Sequence, residues 1–322
     1  MNALITGGAG FIGSHLAEKL LEKGQEVCAV DNISTGSLEN IKHLQNHPRF
    51  RFVPGSVLDE SLMWELIDKS DVVYHLAAAV GVKYIMENEL KSLQINVRGT
   101  ETVLELASHK KRPVMIASTS EVYGKNGSIP YRETSDRLMG PTTKHRWSYA
   151  CTKALDEFLA FAYWREKQLP AVIVRFFNTC GPRQTGQYGM VVPRFVQRAL
   201  ANEPIPVHGD GAQSRCFTDV ADAVEAVTRL METANAAGEV FNVGSTDEIT
   251  IKGLAERVIE ITGSSSTIEF IPYDEVYGAG YEDMKRRVPD ISKIRAFIGW
   301  EPKTGIDALI QKVAAYYRPA KN

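Results

Sequence analysis

The sequence predicts an α/β protein, with a doubly wound parallel sheet in residues 1–175 and a smaller α/β domain over residues 176–322. Short apolar runs alternate with helical patterns through the first half, as expected of a parallel sheet covered by helices on both faces. A glycine-rich turn separates the first run from the first helix, and an acidic residue ends the second run. We also expect a segment near residues 215–245 to return to the main sheet, because residues 240–243 have the pattern of a strand.

The glycine-rich turn carries the strongest pattern in the chain. Residues 3–6 are apolar, and Gly7, Gly10 and Gly13 follow in a G-x-x-G-x-x-G arrangement. Such glycines permit a tight turn, let the backbone approach a pyrophosphate and let the helix pack on the strand. Asp31 ends the next strand, 18 residues after Gly13, where a carboxylate would accept a hydrogen bond from an adenosine ribose hydroxyl. Because a carboxylate repels a 2′-phosphate, the pattern predicts a Rossmann fold that binds NAD rather than NADP.

Three polar residues near other strand ends have two interpretations each. Asp59 could reach the adenine amino group, or it could cap the helix that follows. Asn96 could hold backbone or an ordered water near the active site, or it could serve helix packing alone. His75 ends an apolar strand, and we expect a packed core histidine rather than a ligand.

Polar residues also follow the strand at 113–117. Ser118, Thr119, Ser120 and Glu121 come where this strand ends, and ligands of open α/β sheets bind outside the carboxyl ends of the strands. The hydroxyl groups could hydrogen-bond a substrate alcohol and a reactive phenol. The carboxylate costs free energy there unless it is solvated, paired or used.

Tyr149 and Lys153 stand four residues apart in a helical context and therefore share a face. A free phenol titrates near 10, and a nearby ammonium favours the phenolate. Lowering the pKa by roughly 3 units corresponds to about 4 kcal/mol. We expect Tyr149 to be the base that removes a proton from a substrate hydroxyl; the alternative is a solvated surface pair.

Composition excludes several classes of protein. The chain has 322 residues and a formal charge of −2, which gives no reason to expect a nucleic acid or an anionic membrane as partner. Cys28, Cys151, Cys180 and Cys216 have no metal-site spacing, so we expect no metal and no disulfide framework. With no signal peptide and no apolar span of about 20 residues, we expect a cytoplasmic protein.

The sequence resembles the extended short-chain dehydrogenases/reductases, especially the nucleotide-sugar epimerases, dehydratases and decarboxylases. The resemblance rests on five features in this order: the glycine turn, Asp31, residues 75–78, the hydroxyls after residue 117 and Tyr149-x-x-x-Lys153. The resemblance implies a tightly held NAD that takes hydride from sugar C4 while Tyr149 takes the 4-hydroxyl proton. It implies that Lys153 binds the nicotinamide ribose and lowers the tyrosine pKa, that Thr119 hydrogen-bonds the sugar, and that long helices pair in a homodimer. The expected cofactor contacts are Gly7, Gly10, Phe11, Ile12, Gly13, Asp31, Asn32, Val57, Asp59, Leu76, Ala77, Ala78, Asn96, Ser118, Tyr149 and Lys153.

The same resemblance assigns the second half to a nucleotide sugar, with a UDP-sugar favoured. Asn178 would lie near the sugar or diphosphate, and Arg215 and Arg287 near the diphosphate, where a planar guanidinium can donate to two oxygens. The alternatives are an Arg215 paired with Asp219 and an Arg287 that is only a surface charge. The expected substrate contacts are Asn178, Val192, Arg194, Val207, His208, Arg215 and Arg287.

The reaction is where the alternatives stay open. We favour a UDP-glucuronate decarboxylase. The sequence resembles these enzymes in the Thr119-Ser120-Glu121 stretch, in the placement of Arg215 and in the Arg-x-Pro-x-Ile pattern that begins at Arg287. A 4-epimerase acting on UDP-glucose or UDP-glucuronate usually has a small residue at the position of Glu121. A 4,6-dehydratase also uses a glutamate, usually after an aspartate where Ser120 stands here, but the GDP-mannose type shares the serine. A non-catalytic NAD-sensing regulator would generally lack the Tyr/Lys pair.

Overall fold

The computed structural model describes residues 1–186, 190–277 and 282–318. The strands are β1 (Asn2–Thr6), β2 (Glu26–Asp31), β3 (Phe50–Pro54), β4 (Val72–His75), β5 (Val114–Thr119), β6 (Ala171–Phe176), β7 (Thr179–Cys180), β8 (Ile205–His208), β9 (Ser214–Cys216), β10 (Thr218–Asp219), β11 (Glu239–Val243), β12 (Glu248–Thr250), β13 (Ile268–Ile271) and β14 (Arg286–Arg287). The α-helices are α1 (Phe11–Glu22), α2 (Glu60–Asp68), α3 (Val82–Glu87), α4 (Glu89–His109), α5 (Ser148–Lys167), α6 (Val191–Leu200), α7 (Val220–Met231), α8 (Ile251–Thr262), α9 (Tyr273–Tyr277), α10 (Ser292–Ile298) and α11 (Ile306–Tyr317).

A seven-stranded parallel sheet organises the first half, in the order β11-β6-β5-β4-β1-β2-β3. The chain runs from β1 outward to β3 and then resumes on the other side of β1 with β4, so the direction of winding changes between these two strands. This confirms the predicted doubly wound fold. The last strand, β11, returns from the second half and pairs with β6, with Glu239 opposite Val172. The division into domains at residue 175 stays a prediction.

Both faces of this sheet are buried. In β1, Ala3 and Ile5 belong to the apolar cluster that contains residues of α1 and α7, whereas Leu4 belongs to the cluster on the opposite face with residues of α2 and α4. Successive side chains of a strand point to opposite faces, so a strand covered on both sides has a continuous apolar run. This is why the sequence predicts these strands clearly.

The second half forms its own apolar cluster against the carboxyl end of the sheet. Val196 of α6, Leu254 of α8 and Val313 of α11 pack with residues of β8 in this cluster. Strand β8 pairs with β13, and β9 lies between β12 and β14. Among the residues described, no helix combines the length and apolarity that crossing a membrane requires.

Candidate active site

A cavity of about 750 Å³ lies between the carboxyl ends of the main-sheet strands and the second half of the chain. This is the place where open α/β sheets bind ligands. Most of the predicted site residues line it. They are Gly7, Gly10, Phe11, Ile12, Gly13, Asp31, Asn32, Val57, Leu76, Ala77, Ala78, Ser118, Thr119, Ser120, Glu121, Tyr149, Lys153, Asn178, Arg194, His208, Arg215 and Arg287.

The glycine turn is packed too closely for side chains. Gly7 has φ +70°, and a Cβ there would lie 2.8 Å from the backbone nitrogen of Ala77. A Cβ on Gly13 would lie 2.2 Å from the carbonyl oxygen of Gly7. Helix α1 begins at Phe11, within the glycine turn, because Gly13 lets the first helical turn lie on the strand. The first-turn N–H groups have no acceptor within the helix and are oriented for an anion.

Asp31 ends β2 at the cavity wall, as expected. Its carboxylate accepts hydrogen bonds from the backbone N–H of Ala9 at 3.0 Å and of Ile33 at 2.8 Å. Burial raises the pKa of Asp31, and these N–H groups oppose the effect. A carboxylate has about four lone-pair sites, so it retains capacity to accept from a ribose hydroxyl.

Two of the expected cofactor contacts do not line the cavity. Asp59 is exposed and caps α2 by accepting from the N–H of Leu62 at 3.0 Å, which is its capping interpretation, so its predicted contact with adenine is not supported. Asn96 is buried in α4; its amide accepts from the N–H of Ala79 at 2.8 Å and donates to Thr152 at 3.4 Å. Asn96 therefore holds the backbone of a residue that lines the cavity, which agrees with the first of its two interpretations.

Tyr149 is the second residue of α5, and its side chain faces the end of β5. Burial raises the pKa of Tyr149, the charges of Glu121 and Asp156 raise it further, and the Thr119 hydroxyl and the charge of Arg146 lower it. The net effect is a phenol that stays protonated at neutral pH in this structure.

Lys153 is paired with a carboxylate on its own helix. Its ammonium donates to Asp156 Oδ2 at 2.7 Å, and both side chains are buried. The effect of Lys153 on the pKa of Tyr149 stays a prediction. Lys153 nevertheless lines the cavity, within reach of what fills it.

Ser118 and Ser120 have structural partners as well as a place on the cavity wall. Ser118 Oγ donates to Glu157 Oε1 at 2.5 Å, and Glu157 is in turn held by Arg175 at 2.7 Å. Ser120 Oγ lies 3.4 Å from Arg287 Nη1. Ser118 therefore ties the end of β5 to α5.

Glu121 is held between two arginines. Its carboxylate binds Arg146 through both oxygens, at 3.1 Å for Oε1, and Arg287 Nη1 lies 3.2 Å from the same Oε1. Burial alone would raise the pKa of Glu121, but the charges of Arg146 and Arg287 outweigh it and lower the pKa to about 2. Glu121 is therefore an anion throughout the physiological range, paired rather than solvated.

Arg215 and Arg287 are both placed inside the site. Arg215 binds Asp283 at 2.8 Å and not Asp219, which caps α7 and pairs with Lys312. The side chain of Arg287 is 11% exposed, so it is not a surface charge. Burial and the charge of Arg215 lower the pKa of Arg287 to about 10.

The other expected substrate contacts divide between the cavity and the core. Asn178 donates to the carbonyl of Cys216 at 2.9 Å, and Arg194 Nη1 lies 3.4 Å from His208 Nε2. Burial and the charge of Arg194 lower the pKa of His208 to about 4.

Val192 and Val207 are corrections, because both are fully buried in the cluster of the second half and line no part of the cavity. In β8 alternate side chains face the core, so His208 faces the cavity when Val207 does not.

Sequence reasoning missed three residues of this site. Arg146 and Asp283 complete the charged cluster around Glu121, and Asp156 pairs with Lys153. Arg146 could have been found from the need of a buried carboxylate for a partner. Nothing local in the sequence indicates Asp283, because it is 68 residues from its partner Arg215.

The residues present fit a dinucleotide. The glycine turn leaves room that a Cβ would fill, the first turn of α1 offers N–H groups to a pyrophosphate, and Asp31 can accept from a ribose hydroxyl. Small residues at 77 and 78 line the next strand end. These are the groups of this chain that would hold NAD.

Comparison with known proteins gives consistent matches. A family model described as GDP-mannose 4,6 dehydratase matches residues 4–313. UDP-N-acetyl-alpha-D-glucosaminuronate decarboxylase of Bacillus cytotoxicus is 43% identical over 320 residues, covering 99% of this chain and 98% of that protein. UDP-glucuronic acid decarboxylase 1 of Arabidopsis thaliana is 37% identical over 318 residues, covering 99% and 70%. The solved UDP-glucuronic acid 4-epimerase of Bacillus cereus, in complex with UDP-glucuronic acid and NAD, matches with a TM-score of 0.88 at 30% identity and covers 98% of each chain.

The family match spans nearly the whole chain, and the relatives agree with the geometry of the cavity. The chain belongs to the GDP-mannose 4,6-dehydratase family of extended short-chain dehydrogenases/reductases, NAD-dependent enzymes that act on nucleotide sugars.

Proposed function

We propose that this enzyme decarboxylates a UDP-uronic acid, with UDP-glucuronate as the favoured substrate. The observation that carries the proposal is Glu121, held by Arg146 and Arg287 on the wall of the cavity that Tyr149 also lines. UDP-N-acetylglucosaminuronate is the second candidate substrate, because the 43% identical relative from Bacillus cytotoxicus is named for it.

Bound NAD would supply an acceptor for the hydride of sugar C4 and return that hydride later. Tyr149 would accept the proton of the 4-hydroxyl, with Thr119 as its hydrogen-bond partner. Because the phenol is protonated in this structure, its pKa must fall when the cavity is filled. The cations that this chain offers for that change are Arg146 and Lys153.

Oxidation at C4 makes a uronic acid a β-keto acid. Its C5–carboxylate bond then breaks, carbon dioxide leaves, and the electron pair forms an enolate that later takes a proton at C5. Arg146, Arg215 and Arg287 face Glu121 and Asp283, which leaves a surplus of one positive charge at this end of the cavity. Such a surplus favours an anionic substrate group and stabilises developing negative charge. Glu121 would act after oxidation, in the steps that remove the carboxylate.

The test is product analysis. The enzyme loaded with NAD is incubated separately with UDP-glucuronate, UDP-N-acetylglucosaminuronate and UDP-glucose, and products are identified by mass spectrometry and proton NMR. The proposal expects loss of carbon dioxide from at least one uronic acid and no reaction of UDP-glucose.

Other products would contradict the proposal and identify the alternative. An isobaric product from UDP-glucose or UDP-glucuronate indicates a 4-epimerase. The match to the Bacillus cereus 4-epimerase makes this the main competing function. Loss of water indicates a 4,6-dehydratase, and no product from any substrate indicates an NAD-sensing regulator. A cytoplasmic location and a homodimer stay predictions.

A further inference from the structure

A chain of buried hydrogen bonds begins behind the cavity at Ala77. The Ala77 N–H donates to Thr6 Oγ1 at 3.2 Å, and Thr6 Oγ1 lies 2.8 Å from His75 Nδ1. On the other side of the ring, His75 Nε2 lies 3.2 Å from Thr100 Oγ1. Thr6, His75 and Thr100 are at most 1% exposed. Three elements, β1, β4 and α4, are thus joined by polar groups in an otherwise apolar layer.

A buried ion pair of the active site lies next to this chain of hydrogen bonds, and Thr100 acts on the Asp156 carboxylate by lowering its pKa. Asp156, which is fully buried, accepts through Oδ2 from the Lys153 ammonium at 2.7 Å. An ammonium has three N–H donors, so two remain for the cavity that Lys153 lines.

Each ring nitrogen of His75 has a threonine hydroxyl within hydrogen-bond distance, so the neutral ring can be satisfied on both sides. Burial and the charge of Lys153 lower the pKa of His75 to about 3, which agrees with a neutral ring.

We propose that Asp156 is a positioning residue, which fixes the Lys153 ammonium at the cavity wall and offsets its charge, so that Tyr149 faces an ion pair rather than a lone cation. The inference rests on the roles proposed above for Tyr149 and Lys153. Other charges face these groups. Glu121 and Arg146 act on Tyr149 from the segments after β5 and before α5, and Glu157, bound to Arg175 and Arg137, follows Asp156 in α5.

The substitution Asp156→Asn separates charge from position, because the amide oxygen can still accept from Lys153 while the negative charge is lost. The titration of Tyr149 is measured without substrate by ultraviolet difference absorbance of tyrosinate, each protein being compared with its own Tyr149→Phe form. We expect the Tyr149 midpoint in Asp156→Asn to fall by about one pH unit or more. Glu166→Gln, an exposed carboxylate change on the same helix, should leave the midpoint unchanged. An equal midpoint in Asp156→Asn and the unsubstituted enzyme overturns the proposal.

A second measurement is made on the unsubstituted enzyme, with His75→Gln used only to assign its signals. Nitrogen-15 NMR of the imidazole groups should show a neutral His75 ring that does not titrate near pH 6.5. Protonation of His75 near pH 6.5 overturns the buried arrangement beside Lys153 and Asp156 from which the proposal is argued. Neither measurement uses turnover, so failure of the decarboxylase proposal would not affect them.

Discussion

The two ends of the cavity are built in different ways. At the cofactor end, the glycine turn and the first turn of α1 present backbone, and Asp31 is the charged group that ends β2 there. At the sugar end, Glu121, Arg146, Arg215 and Arg287 meet with Asp283 as buried or half-buried charges. One end offers close-packed backbone with free N–H groups, and the other offers paired charges, to which we assign cofactor binding and sugar chemistry in the proposal. The difference suggests that cofactor binding and the later sugar chemistry can be impaired separately.

The largest expected effect is at the junction of the two ends. Tyr149→Phe removes the proton acceptor and leaves the glycine turn and Asp31 intact. We expect kcat to fall by about 10³-fold, within the range typical of general base catalysis, while NAD affinity is kept. Steady-state kinetics and calorimetric NAD titration check this, with Tyr163→Phe on the same helix as the control. Activity within about tenfold of the unsubstituted enzyme, or about 1.4 kcal/mol of barrier, would count against Tyr149 as the base.

A smaller effect, confined to the cofactor end, is expected from Gly13→Ala. The added Cβ would lie 2.2 Å from the Gly7 carbonyl oxygen, so the turn must move. We expect NAD affinity to fall at least about tenfold, equivalent to about 1.4 kcal/mol, because the N–H groups lose their positions. Gly127→Ala is the matched control, since nothing lies within 4 Å of a Cβ there. Equal NAD affinity of the two variants would show that the close packing of this turn is not needed.

The smallest effect concerns the buried hydrogen bonds of His75, and it is expected in the free energy of unfolding. The pKa of His75 is lowered to about 3 in the folded state from 6.5, so the unfolded chain binds a proton that the folded enzyme does not. The stability contributed by neutral His75 is present above pH 6.5 and is lost as pH falls toward 3, at about 1.4 kcal/mol per pH unit. Urea unfolding from pH 7 to 5 should therefore show a flatter pH dependence for His75→Gln than for the unsubstituted enzyme. Identical slopes would mean that His75 protonates while the enzyme stays folded.

The cofactor end of the cavity could be predicted from the sequence more completely than the charged end. The glycine turn and Asp31 are local patterns, because a strand, its turn and the next helix are contiguous, and the structure places them as expected. Asp59 shows the limit of this local reasoning, since a carboxylate before a helix can cap it as well as bind a ligand. In β8, the residues were identified but not the face, and Val207 lies in the core beside His208 at the cavity.

The charged end could not be predicted in full, because its partners are far apart in the chain. Glu121 and Arg287 are 166 residues apart, and only the folded chain shows that they form an ion pair. The state of Lys153 depends likewise on tertiary burial. A lysine four residues from a tyrosine indicates proximity, but Asp156, buried with it, decides where the ammonium points.

The central claim is that Tyr149 serves oxidation and Glu121 serves the steps that follow, and Glu121→Gln tests it most directly. The substitution keeps the shape of the side chain and removes a charge that raises the pKa of Tyr149, so oxidation should proceed. In a single turnover with the uronic acid substrate, we expect the absorbance of reduced nicotinamide to appear while carbon dioxide release slows by about 100-fold or more. Carbon dioxide release at the rate of the unsubstituted enzyme, or loss of the reduced nicotinamide signal, would contradict the account.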